Sequence, residues 1–134
     1  MAQCKDVFYY ASSFQRESQT GRHELRHYHP VVLDIQLGDD GLPKKGVVII
    51  TKYTPEKERY CQERDGENSC VILETQEYGE LSYRSLIRTV IHGEDERNLL
   101  DEDMKLPISD DILEKVKTAA RTNKGIKPRL RKLL

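Results

Sequence analysis

The stretch RHELRHYHPVVLDIQL (residues 22–37) holds three of the chain's four histidines and can be read in two incompatible ways. As a helix, His23-Glu24-Leu25-Arg26-His27 has the His-Glu-x-x-His spacing that puts two imidazoles one turn apart on a metal. As a strand, the same residues alternate: Leu25, His27, His29, Val31, Leu33, Ile35 and Leu37 share one parity, and Glu24, Arg26, Tyr28, Asp34 and Gln36 share the other. The strand reading is the stronger. Pro30 and the run VVLDIQL follow the histidines at once, and Arg26 would set a cation beside the metal. We therefore expect a strand over residues 25–37 with both histidines on its apolar parity.

Working outward, DVFYYASSFQ (residues 6–15) is aromatic and small and reads as a first strand. The turn-forming run GDDGLPKKG (38–46) joins the histidine strand to GVVIITKY (46–53), a β-branched run suited to a buried strand. Next comes KERYCQER-DG-ENSCVILETQEY, in which Asp65-Gly66 reads as a two-residue hairpin turn that sets Cys61 opposite Cys70 as a reduced, buried pair. ELSYRSLIRTVIH (80–92) spaces Leu81, Leu86 and Val90 like one face of a helix, with Gly93 to stop it. Ser109 is placed to cap a second helix, DDILEKVKTAARTN, with Ile112, Leu113, Val116 and Ala120 inward and Gly125 as terminator. The fold class expected is α+β: about five mainly antiparallel strands, forming a curled sheet or small barrel, followed by two helices.

At 134 residues the chain fits one domain, and its 34% charged residues imply a modest core under a charged surface. The net charge of −1 hides a segregation of sign. Residues 94–111 carry eight acids against Arg97 and Lys105, whereas residues 112–134 carry eight bases against Glu114. We read a β-rich core with one helix over 1–93, an acidic linker over 94–111, and a basic helix and tail over 112–134. No apolar run is long enough for a membrane span, and the start MAQCKDVF lacks a signal peptide's apolar core. Three cysteines in no metal-ligand spacing suit a reducing compartment, so a cytoplasmic location is expected.

His27-Tyr28-His29-Pro30-Val31-Val32-Leu33-Asp34, with Gly21 before it and Gly41 after it, resembles the first metal-binding motif of the cupin family. The resemblance implies a small antiparallel barrel and a divalent metal on His27 and His29, with Asp34 in the place of the family's acid. It spans residues 21–41, and the family's second motif has no counterpart here.

The tail offers a different chemistry. Arg121, Lys124, Lys127, Arg129, Arg131 and Lys132 cluster where Gly125 and Pro128 interrupt the helix, and such a cluster attracts phosphates through charge neutralisation. Ile126, Leu130, Leu133 and Leu134 interleave with these bases, a pattern equally suited to a protein partner or self-association. No phosphate loop, Ser/Cys-His dyad or zinc-type cysteine pair is present. The function expected is that of a small, non-catalytic intracellular binding or inhibitor protein, of a size that suits a viral or bacterial accessory protein. It would act through a protein surface or an anionic, phosphate-containing ligand such as a nucleotide or nucleic acid, without a cofactor and away from membranes. The alternative is a divergent metal-dependent cupin-like enzyme.

Overall fold

The computed structural model describes residues 2–12, 26–38 and 43–134. They form an α+β fold built on an antiparallel sheet of seven strands: β1 (Val7–Phe8), β2 (Tyr10–Ser12), β3 (Arg26–Leu37), β4 (Lys44–Lys52), β5 (Cys70–Leu73), β6 (Ser85–Asp95) and β7 (Met104–Lys105). Three helices accompany it, α1 (Pro55–Asp65), α2 (Asp110–Arg121) and α3 (Pro128–Arg131). The strand order is β5-β6-β4-β3-β1-β7, with β2 also pairing β3. Among the described residues β5 and β7 remain as separate edges, so the sheet is open and the expected barrel does not form.

β3 confirms the alternation argument, running from Arg26 to Leu37 and pairing with β4 as the expected hairpin. Its parity is not uniform. The register with β4 shifts between Val32 and Gln36, where a bulge in β3 lies opposite Gly46. A Cβ at Gly46 would approach the Ile35 Cβ to 3.1 Å, so a side chain there would have to push Ile35 aside where the bulged strand crosses.

Burial on both faces explains the continuous apolar runs. Val31, Leu33, Val48, Ile50, Ile87 and Leu73 pack with α2 on one face. Phe8, Tyr28, Val32, Val47, Ile49 and Leu99 form a second cluster on the other. α2 is the helix expected from the sequence. The Ser109 hydroxyl accepts from the Ile112 N–H at 3.2 Å, Asp110 and Asp111 occupy the first turn, and Ile112, Leu113, Val116, Ala119 and Ala120 turn inward. It stops earlier than expected, with Thr122 rather than Gly125 as C-cap, because the Thr122 hydroxyl and N–H both donate to the Ala119 carbonyl.

Two local expectations are overturned. Residues 80–92 do not form a helix, because SLIRTVIHGED is β6, held between β4 and β5. A central strand buried on both faces loses its period-two signature, and its β-branched Ile, Thr and Val residues carry the information instead. Nor is Asp65-Gly66 a hairpin turn. Residues 55–65 are α1, with the Thr54 side chain accepting from the Lys57 N–H at 3.1 Å, Pro55 in its first turn and Gly66 (φ 120°) as its stop. The same positive-φ glycine that suits a tight hairpin also ends a helix, and the unbranched run EKERYCQER favours the helix.

The segment 94–111 closes β6, makes 3-10 turns at Glu96–Asn98 and Asp101–Asp103, and supplies β7. The Tyr10 hydroxyl donates to the buried Glu94 carboxylate at 2.7 Å, and Asn98 Nδ2 donates to it at 2.9 Å, so this acid ties the segment to the sheet. The chain then ends packed, not loose: Ile126 is buried, and Leu130 and Leu134 lie against the α2-side core.

Candidate functional site

The histidine strand forms one wall of a cleft of about 510 Å³. Its position follows from the sheet. Val7 faces Val31 and Tyr10 faces Tyr28, so one register runs through both short strands and sets Tyr9, in the break between them, opposite His29. The Tyr9 ring lies 4.4 Å from the His29 ring and 5.2 Å from that of His27, stacked on the latter at 23°. Its backbone N–H donates to the Asp103 carbonyl at 2.9 Å, which anchors it to the acidic segment.

The other walls come from strand ends and a helix. Lys52 ends β4, two residues beyond Ile50, the partner of His29. Lys105 comes from β7, Glu80, Leu81, Ser82 and Tyr83 from the approach to β6, Ser85 from its start, and Lys57 from the first turn of α1, its ammonium donating to the Lys52 carbonyl at 2.8 Å. Tyr83 is 48% exposed, with the Lys52 ammonium 5.4 Å from its ring centre.

Among the described residues of the cleft, three lysines thus stand with one carboxylate, Glu80. Among the described residues no acidic side chain pairs with Lys52 or Lys105. Burial pushes the His29 imidazole below its ordinary range and Lys105 adds to the effect, while Glu80 opposes it. A neutral imidazole beside two ammonium groups and exposed tyrosine faces can accept an anion and stack against a flat ring.

The expected metal set does not assemble. At about 3.3 Å per residue, the five residues from His29 to Asp34 carry the acid roughly 16 Å along β3. Asp34 is exposed there, near enough to Cys4 for its charge to help raise that thiol. The register shift of β3 lies between Val32 and Gln36, beyond both histidines. Among the described residues no three His, Cys, Asp or Glu side chains group as metal ligands. Gly21, Gly41 and His23 lie outside the described residues, and His92 sits opposite Val47 on β6. His27 and His29 therefore share a cleft, and Asp34 is not among its described lining residues.

The basic residues of the tail lie on the last turn of α2, on α3 and in the segments beside it. Arg121, Lys124, Lys127, Arg129 and Lys132 are exposed, whereas Arg131 is half-buried and its guanidinium donates to the Asn123 carbonyl at 2.9 Å. Asn123 is itself buried, donating to the Thr89 hydroxyl at 3.0 Å and accepting from the Gly125 N–H at 2.7 Å. Tyr9, Lys52, Lys57, Tyr83 and Lys105 escaped the sequence reading. They belong to no motif and meet only after β4 pairs with β6 and β1 with β7.

Comparison with known proteins returned no match, either to a protein-family model or to a curated protein. No helix among the described residues is long and apolar enough to cross a membrane.

Proposed function

We propose that this chain is a small, non-catalytic binding protein whose cleft takes a phosphate-bearing anionic ligand. The observation that supports this reading is the convergence of Lys52, Lys57 and Lys105 with His29, Tyr9 and Tyr83 on one concave surface, where Glu80 is the carboxylate among the described residues. The cleft volume of about 510 Å³ falls in the range of small-molecule sites. Lysine is a point-charge phosphate ligand, and the tyrosine faces add attraction for a planar group without base-specific hydrogen bonds. An intracellular setting accords with the free thiols of Cys4, Cys61 and Cys70.

Calorimetric titration with adenosine monophosphate tests the reading. Charge reversal at Lys52 or Lys105 is expected to weaken binding about tenfold, and raising the salt concentration to weaken it further. Binding indifferent to both substitutions and to salt, or no binding at all, would overturn it.

A further inference from the structure

Lys57 belongs both to the cleft and to α1, and helical spacing carries its surface onward. Lys57, Tyr60 and Arg64 follow at intervals of three and four residues, so they form one stripe of α1 beside the buried line of Cys61 and Asp65. Tyr60 is 48% exposed, and its ring lies 5.6 Å from the Arg64 guanidinium and 5.2 Å from that of Arg88. At the far end of the helix the Lys124 stem packs over Gly66, and the Lys124 N–H donates to the Asp65 carbonyl at 2.8 Å. The motif recurs in the cleft, with Lys52 at 5.4 Å from the Tyr83 ring centre, and again one residue on from each, with Arg84 at 4.3 Å from the Tyr53 ring centre.

Tyrosines and cations therefore recur together from the cleft mouth to the C-terminal end of α1. The nearby acids are largely engaged: Asp65 accepts from Arg88, Glu74 from Arg84, and Glu58 from the Tyr53 hydroxyl. Glu56 and Glu63 form the adjoining stripe of the helix and border the surface on its outer side.

We propose that the ligand is a single-stranded nucleic acid whose chain runs from the cleft along Lys57, Tyr60 and Arg64 toward Lys124. This rests on the anion-binding reading of the cleft and names its ligand class. A single strand presents phosphates and unpaired bases in alternation, which a surface of interleaved ammonium, guanidinium and aromatic groups matches without reading sequence. A lone nucleotide would use only the cleft. An acidic peptide would use the cations but leave the tyrosine faces without a stacking partner.

Fluorescence anisotropy on the full chain decides the matter, with labelled oligothymidylate and oligouridylate of about eight nucleotides, thymidine monophosphate as competitor and polyglutamate as control. Tyr60 and Arg64 are exposed, so Tyr60→Ala, Tyr60→Phe and Arg64→Glu should all keep the wild-type circular dichroism spectrum. Expected are about tenfold weaker oligonucleotide binding for Tyr60→Ala and Arg64→Glu, near wild-type binding for Tyr60→Phe, and unchanged monophosphate binding for all three. Oligonucleotide affinity untouched by both Tyr60→Ala and Arg64→Glu, or polyglutamate binding as tightly, would overturn the path along α1. If the monophosphate binds and the oligonucleotide gains nothing over it, only this inference fails; if neither binds, the anion-site reading fails with it.

Discussion

Asp65, the last residue of α1, accepts two hydrogen bonds from the Arg88 guanidinium on β6, at 2.7 and 3.1 Å. The Asp65 side chain is 7% exposed and the Arg88 side chain 37%, so one partner is sheltered while the other keeps contact with water. This pair fixes the C-terminal end of α1 against the sheet. Asp65→Ala should cost about 1–2 kcal/mol, below the range for a fully buried pair because Arg88 can rehydrate. Urea unfolding monitored by circular dichroism measures it. A loss indistinguishable from that of a surface variant such as Glu63→Ala would remove the pair from the account.

The tail is expected to be part of the core. Deleting residues 126–134 removes the buried Ile126, the Leu130 and Leu134 contacts and the Arg131 bond to Asn123. A stability loss on the order of 3 kcal/mol should follow, with a clear fall in Tm. A truncated chain with wild-type Tm would show that the tail is a detachable arm.

Cys61 and Cys70 are expected to differ in reactivity. The two thiols interact across the α1–β5 contact, and this interaction holds Cys61 well above the ordinary thiol range and lowers Cys70. Cys61 is also buried, whereas Cys70 is half-exposed. Timed iodoacetamide labelling with mass spectrometry should show Cys70 modified first, and Cys61→Ser should slow that modification. Cys61 reacting first would reverse the assignment.

Stability should fall as the pH drops from 7 to 5. His29 and His92 both have folded-state values lowered chiefly by burial, with Lys105 and Arg88 respectively adding to the effect. The unfolded chain then binds more protons than the folded one just below the ordinary histidine value of about 6.5. Their contribution is intact above that pH and is lost as the pH falls through this window. The lowered carboxylates Glu77, Asp95 and Asp110 start from ordinary values of 4.5, 3.8 and 3.8, so their loss belongs to more acid solution. Tm measured against pH for wild type and for a His29→Gln, His92→Gln double variant tests this. The variant's profile should be flatter between pH 5 and 7, and equal slopes would refute the assignment.

Elements whose signals are local could be read from the sequence. β3 declared itself through alternation from His27 to Leu37, and α2 through the Ser109 cap, the acids behind it and its apolar face. β6 was misread because burial on both faces erases period two and leaves Leu81, Leu86 and Val90 in accidental helical spacing. α1 was misread because Asp65-Gly66 satisfies two structures, and the choice lay upstream in Thr54-Pro55. Cys61 and Cys70 do meet as expected, but through a helix packed on a strand instead of across a hairpin. The histidines were singled out for a metal, whereas their neighbours in space are Tyr9 and lysines that lie far apart along the chain. Such a site depends on strand order, which residue spacing does not encode.

The central claim is that an anion binds beside His29. Proton NMR titration of the histidine ring signals, with and without saturating adenosine monophosphate, measures it at the residue itself. The account predicts a His29 value below the ordinary imidazole range in the free protein and a rise on adding the nucleotide, with His92 unmoved. A His29 titration unchanged by the nucleotide, or an equal shift at both histidines, would contradict it.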